Sequence, residues 1–202
     1  MSPKILTEQD KAMQREKLLA KGRELFAVHG VHKTSIEDIT NAANMAKGSF
    51  YQHFKSKEAL FFELIVRFHR ELFENAGTAL AQPGCMPLKE RVREYIRLCF
   101  KSPEYLSIFK YHEEIDELIF SMQKDSQEEV DALMEMEHAA YEKLLQMYGI
   151  DTRRIKPGVI HNYLHAMYFG IANTSLMERD CMDDTFEALL NGLIVYVFGG
   201  AS

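Results

Sequence analysis

Apolar residues recur along this chain at spacings of three and four, and nowhere in sustained alternation. That period belongs to amphipathic helices with one face turned to a core, whereas a half-buried strand requires a period of two. Prolines stand only at 3, 83, 87, 103 and 157, so long helical stretches run unbroken between them. The period predicts helices over Glu8–His29, Ser35–Ala43, Lys47–His53, Lys57–Ala81, Leu88–Lys101, Glu104–Gln123, Ser126–Tyr148, Pro157–Arg179 and Asp183–Phe198. In the first, Met13, Leu18, Gly22, Leu25 and Phe26 share the expected inner side. Gly30 and Gly149 follow two helices as C-terminal stops, and Pro103 and Pro157 lie near helix starts, where a missing N–H costs little. Gln82-Pro83-Gly84 is the clearest linker. The expected fold class is all-α, with a small domain over 1–55 and a larger one over 56–202.

The net charge of −6 conceals a division. Residues 1–60 carry 10 Lys and Arg against 7 Asp and Glu, and residues 61–202 carry 14 against 23. A locally basic face is what binding to a phosphate backbone needs, and an acidic remainder discourages the wrong end from approaching DNA. The longest apolar run, Leu193–Phe198, is far shorter than the ~20 residues that span a bilayer, and the first residues lack the apolar core of a signal peptide. Cys85, Cys99 and Cys181 match neither a zinc pattern nor a disulfide framework, which points to a reducing cytoplasm.

Two short helices near residues 35–53 are too small to bury a core alone, so their tight connection carries the functional signal. Thr34 and Glu37 have the spacing of a capping box. Ile36 and Ile39 face inward, Ala42 and Ala43 allow close helix approach, and Asn44 stands where the turn needs a left-handed residue. Phe50 and Phe54, four apart, share a buried face. The opposite face then displays Lys47, Ser49, Gln52 and His53, and Gly48 has no side chain to hold the backbone away from a groove. A helix of this kind enters a major groove N-terminus first. Ser56 is positioned to cap the next helix, where Lys57 is expected to grip a phosphate. Lys4, Lys11 and Arg15 fit either a minor-groove arm or a solvated tail.

Taken together, Leu18-Leu19 through Leu25-Phe26, Gly30, Thr34-Ser35-Ile36-Glu37-Asp38-Ile39, Lys47-Gly48-Ser49-Phe50-Tyr51-Gln52-His53-Phe54 and Ser56-Lys57-Glu58-Ala59-Leu60 resemble the tetracycline-repressor (TetR) family over about residues 15–62. The resemblance implies a homodimer of nine-helix subunits, each with a three-helix DNA-binding head and a ligand cavity in the larger domain. It also implies an interface built from the last two helices of both copies. Carried over by position, Thr34, Lys47, Ser49, Tyr51, His53 and Lys57 fall where such proteins contact DNA; with Ser35, Gly48 and Gln52 they form the expected DNA-binding set. The chain departs from the pattern at Ala43-Asn44-Met45-Ala46, where a capping Ser before the Lys-Gly pair is usual, and at Lys21-Gly22, where paired alanines are common.

The larger domain is rich in Tyr, Phe, Met and His. Tyr95, Phe100, Tyr105, Phe109, His112, Met134, Tyr141, Met167, Asn173 and Met177 are the candidate lining for a small, largely hydrophobic effector, and the same residue types also build ordinary helical cores. Glu113, Glu114 and Glu117 fit either an organic-cation site or a solvated face. Leu164, Tyr168, Ile171, Leu189, Leu193, Ile194 and Val197 are the candidate dimerisation residues. An enzymatic alternative rests on Glu135-x-x-His138, one half of a di-iron pattern with no second copy in the chain, so a surface pair is the simpler reading. No Gly-rich phosphate loop or zinc-protease motif occurs; the expectation is no catalytic, metal or cofactor site. The function expected is a ligand-released repressor, partnered by a double-stranded DNA operator, an effector and a second copy of itself, without membrane contact.

Overall fold

A computed structural model describes residues 7–81, 86–102, 114, 117–121, 127–172 and 177–199, with the side chains of 171 and 172 excepted. All regular structure among them is helical: α1 Glu8–Lys33, α2 Ile36–Ala42, α3 Lys47–Phe50, α4 Lys57–Ala81, α5 Leu88–Lys101, α6 Gln127–Met147, α7 Pro157–Ala172, a 3-10 turn Arg179–Cys181 and α8 Met182–Phe198. Residues 117–121 are also helical. The Gln82-Pro83-Gly84 linker, Cys85, Lys4 and most of the expected helix over Glu104–Gln123 lie outside the described residues.

The chain divides into two compact units, Met1–Phe68 with Lys110–Ser121, and His69–Phe109 with Met122–Ser202. The division falls inside α4, because Leu60, Phe61, Phe62 and Ile65 are buried with the helices that precede them. Phe61 meets Phe26 edge-on at 5.2 Å, and a Cβ on Gly22 would lie 2.6 Å from Leu60 Cδ2. A glycine where an alanine would be expected thus marks the closest approach of α1 and α4.

In the first unit α1 buries Leu18, Leu19, Gly22 and Phe26, one stripe at helical spacing. Met13, expected on that side, is 61% exposed; the stripe begins one turn later. At position 13's end of α1 the contact with α4 is ionic. Arg15 makes bidentate bonds to Glu63, and Arg67 bonds Glu16 through both terminal nitrogens at 2.7 Å. Gly30 takes φ 79°, which ends the regular helix where the sequence places its stop, and a further turn continues to Lys33.

In the second unit the α4 remainder, α5, α6, α7 and α8 surround an apolar core containing Phe100, Leu145, Ile155, Ile160, Met167, Phe186, Leu190, Leu193 and Ile194. Arg97 clamps Glu187 with two 2.7 Å bonds between α5 and α8. α7 and α8 pack so closely that a Cβ on Gly192 would overlap the Tyr163 hydroxyl. The helix expected to reach Arg179 is not continuous: Met177 and Glu178 are non-helical, with Glu178 extended before the 3-10 turn.

Leu193 is 1% exposed and belongs to this core. Leu193→Ala removes buried methyl groups and leaves a cavity, which lowers unfolding stability by about 2–5 kcal/mol. Chemical denaturation read by helical circular dichroism checks this.

Candidate functional site

The short α2–turn–α3 segment is held from below. Ile39, Ala43 and Phe50 are completely buried and Phe54 nearly so, with Phe50 and Phe54 ring centroids 5.7 Å apart. Asn44 adopts φ 51°, the left-handed turn expected of it. Its N–H bonds Asn41 O at 3.0 Å, and Met45 N–H reaches back to Thr40 O at 2.8 Å. α3 begins at Ala46 without a side-chain cap, so its placement rests on the Phe50–Phe54 anchor.

The capping box lies one residue later than the Thr34–Glu37 spacing suggested. Ser35 Oγ accepts from Asp38 N–H at 3.1 Å, and the Asp38 carboxylate accepts from Ser35 N–H at 2.8 Å. The burial of Thr34 explains the shift. Thr34 is 2% exposed and donates its hydroxyl to Gly30 O at 2.7 Å. Its hydroxyl is thus engaged within the subunit.

Lys57 is likewise engaged within the subunit. Its Nζ donates to Val31 O at 2.6 Å, Thr34 O at 2.9 Å and His32 O at 3.2 Å, completing the carbonyls at the end of α1. On the other side of that end, Glu114 accepts from the N–H groups of Val31 at 2.5 Å and His32 at 3.0 Å, and Glu117 lies 3.0 Å from His32 Nε2. These two acids serve the first unit and do not form an organic-cation pocket; Glu113 lies outside the described residues. His53 is half-buried, 3.3 Å from Gln14 Oε1, and burial with the nearby Arg15 and Lys11 pushes its pKa below the usual imidazole value. A neutral ring can donate one hydrogen bond but brings no charge to a phosphate. Arg15, bound to Glu63 and lying 4.7 Å above the Phe54 ring, is part of the scaffold, and Lys11 pairs with Glu8 within α1.

What remains displayed is a compact polar face: Lys47, Gly48, Tyr51 and Gln52 exposed, Ser49 half-buried at its edge, and Ser35 exposed at the start of α2. Tyr51 is 56% exposed although its ring meets Phe50 edge-on at 5.7 Å, so its hydroxyl end points away from the core. Lys47 touches only Glu37, at 3.9 Å on the surface, a pairing a phosphate would displace readily. A Cβ on Gly48 would meet nothing within 4 Å, so no packing demand explains the glycine.

The second unit holds a cavity of ≈ 140 Å³ with an almost wholly apolar wall. Tyr95, Phe100 and Tyr141 line it as expected, together with Leu72, Phe73, Val92, Cys99, Leu144, Tyr148 and Ile160. Tyr95 spends its hydroxyl on Leu72 O at 2.7 Å. Tyr148, not anticipated from sequence, has a buried hydroxyl without a hydrogen-bond partner. Burial pushes the Cys99 thiol up, against a smaller opposing effect of Tyr95, which disfavours the thiolate a redox sensor needs. Met134 and Met177 are each 40% exposed and Met167 is sealed in the core, so none of the three lines the cavity. Tyr105, Phe109, His112 and Asn173 lie outside the described residues.

The expected dimer residues are also relocated. Leu164, Leu193, Ile194 and Val197 line this cavity, Tyr168 is buried, and Leu189 is half-buried against the core. The side chain of Ile171 is outside the described set. Their broad apolar face is consumed within the subunit. A second polar group, Glu137 with His69, His161 and His165, is buried among α4, α6 and α7. Burial opposes the Glu137 charge, but the interactions with His161, His69 and His165 outweigh it and hold the carboxyl below its usual range. Burial, reinforced by His161, pushes His165 down to about 4. Glu135, the acid singled out in the sequence, is exposed.

Residues 18–64 match the sequence profile of bacterial regulatory proteins of the tetR family. Among curated proteins, the chain is 35% identical over 81 residues to the HTH-type transcriptional repressor DhaR of Mycobacterium sp. (strain GP1), covering 40% of each chain. It is 32% identical over 111 residues to the probable acrEF/envCD operon repressor of Escherichia coli K12, covering 52% of this chain and 50% of the relative. The matched stretches thus span half or less of those relatives. A crystal structure of a transcriptional regulator from Streptomyces coelicolor A3(2) superposes with a TM-score of 0.63 at 17% identity, covering 92% of this chain and 99% of that one, a likeness of fold.

Two substitutions separate display from scaffold. Gly48→Leu replaces a poor helix former at an open position, so folding stability holds or rises by up to about 1 kcal/mol, while affinity for DNA falls at least tenfold, read by thermal melts and by gel shift. Lys57→Ala leaves three carbonyls without their ammonium and costs about 1.5–3 kcal/mol of stability. An unchanged melting temperature with lost DNA affinity would return Lys57 to the phosphate-contacting set.

Proposed function

We propose that this chain, whose residues 18–64 match the sequence profile of bacterial regulatory proteins of the tetR family, is a cytoplasmic transcriptional repressor that binds a near-palindromic operator as a homodimer and is released by a small, largely hydrophobic effector. The observation that carries the reading is the Lys47–Gln52 face, polar and open on an otherwise fully buried scaffold. Side chains with fixed backs and free tips suit contacts to phosphates and base edges, and an unencumbered Gly48 lets the backbone approach a groove. The contact set is Ser35, Lys47, Gly48, Ser49, Tyr51 and Gln52, with His53 as a neutral hydrogen-bonding neighbour.

The effector chemistry follows from the cavity. Its apolar wall favours a hydrophobic body, and the unpaired Tyr148 hydroxyl offers one directional anchor for a carbonyl or hydroxyl group. Charged effectors find no compensating partner among the described lining residues.

Dimerisation is assigned to a different stripe from the buried residues above. On α7, Val159, Asn162, Ala166 and Phe169 are exposed at spacings of three and four; on α8, Asp184, Ala188, Asn191 and Val195 are exposed at the same spacings. The apolar and small members of this stripe, Val159, Ala166, Phe169, Ala188 and Val195, are available to pair with a second copy and to present two heads to successive major grooves, ~34–36 Å apart.

Gel shift on the DNA flanking the protein's own gene, at two salt concentrations, tests the reading. A specific complex whose affinity falls steeply with salt is expected, because several phosphates release counterions on binding; no complex at low salt would refute it. In parallel, Val195→Arg is expected to convert the dimer to monomer in light scattering and to weaken operator binding at least tenfold, while helix content is kept.

A further inference from the structure

Glu137 on α6 is 3% exposed, and both of its oxygens meet imidazoles. Oε1 lies 3.2 Å from His69 Nε2 of α4, and Oε2 lies 2.8 Å from His161 Nδ1 of α7. His165 follows His161 by one helical turn, and the two rings stand 4.2 Å apart, inclined by 32°. His138, one residue after Glu137, meets His161 edge-on at 5.7 Å. Two imidazoles therefore meet one buried carboxylate and a third stands beside them. Such a group is costly to bury unless every lone pair and proton is satisfied.

His161 Nδ1 pairs with the carboxylate at 2.8 Å, and His165 brings a further ring nitrogen to the same place. A carboxylate oxygen beside two imidazole nitrogens is also the donor set of a metal site. One nitrogen from His161, one from His165 and one oxygen from Glu137 lie within 4.8 Å of one another. Three ligands each ~2.0–2.2 Å from one ion are separated by roughly 3–4 Å, so small side-chain rotations suffice to close the set.

The geometry points to a site for a divalent first-row transition metal, such as Zn²⁺ or Co²⁺, with Glu137, His161 and His165 as ligands and His69 holding the second carboxylate oxygen. The donor set selects the ion class. Imidazole with one carboxylate suits Zn²⁺, Co²⁺, Ni²⁺ or Fe²⁺, whereas Ca²⁺ and Mg²⁺ require oxygen ligands and Cu⁺ prefers sulfur. A carboxylate fixed by a neighbouring histidine is the outer-shell arrangement that orients a first ligand. Three protein ligands leave a coordination position for water. The site is independent of the operator reading, since it is read from metal uptake.

The test uses the full-length, tag-free chain stripped with chelator and titrated with CoCl₂, following visible d–d absorption and its displacement by ZnCl₂. One Co²⁺ per chain is expected, with the absorption bleached by Zn²⁺ and the melting temperature raised by Zn²⁺. Glu137→Gln and His165→Asn are each expected to weaken Co²⁺ binding at least 100-fold and to abolish the Zn²⁺ shift in melting temperature. His165→Asn leaves the contacts of Glu137 with His69 and His161 in place and so remains informative should Glu137→Gln fail to fold. Absence of Co²⁺ uptake by the folded wild-type chain overturns the site, as does uptake unchanged in folded His165→Asn.

Discussion

The burial of Phe50 and Phe54 beneath α3 is the interaction on which the rest of the first unit depends. α3 is four residues long and uncapped by any side chain, far below the length at which a helix persists on its own. It exists because its inner face is buried with Ile39 and Ala43, and because Asn44 supplies the left-handed turn that aims it there. With the inner face immobilised, the outer face is determined: Lys47 and Gln52 are exposed, and Tyr51 rests one ring edge against Phe50 while its other end stays exposed. The polar groups around this core are scaffold. Lys57 and Glu114 complete the carbonyls and amides at the end of α1, and Arg15, Glu16, Glu63 and Arg67 join α1 to α4. Charge near the proposed DNA-binding face is thus divided between residues displayed outward and residues that hold the scaffold.

The second unit solves a different problem. Its helices leave an apolar cavity between them, and they also enclose a carboxylate and imidazoles that an apolar core would ordinarily exclude. The cavity also carries a buried hydroxyl, that of Tyr148, with no hydrogen-bond partner among the described residues. Buried polar atoms without partners are uncommon in native interiors, and each is a place where a ligand adds stability by binding.

Much of this was legible in the residue pattern, and the failures have physical causes. The helical period located α4 and α5 to the residue and the Gly30, Asn44 and Gly149 turns by their backbone requirements. For Thr34 and Lys57 the residue type suits both DNA contact and helix capping, and only the structure shows their carbonyl partners. The dimer residues failed for a related reason. An apolar stripe on the last helix announces burial but not the partner, and here the partner is the subunit's own interior. Tyr148 was invisible because an unpaired hydroxyl is a three-dimensional fact. The Glu137 cluster left one usable trace, His161 and His165 four apart on one helix face, while attention to Glu135-x-x-His138 followed a pattern whose acid faces water.

The central claim, that the Lys47–Gln52 face enters a DNA groove, is tested most directly by affinity cleavage. A chain with its native cysteines replaced and a single cysteine at Gly48, carrying an iron chelate, is bound to the flanking DNA and activated. The account predicts two strong, symmetry-related cut clusters about one helical turn apart in the major groove, and none from the same chelate placed at Ala188. Cleavage spread evenly along the fragment, or equal cutting from position 188, would contradict it.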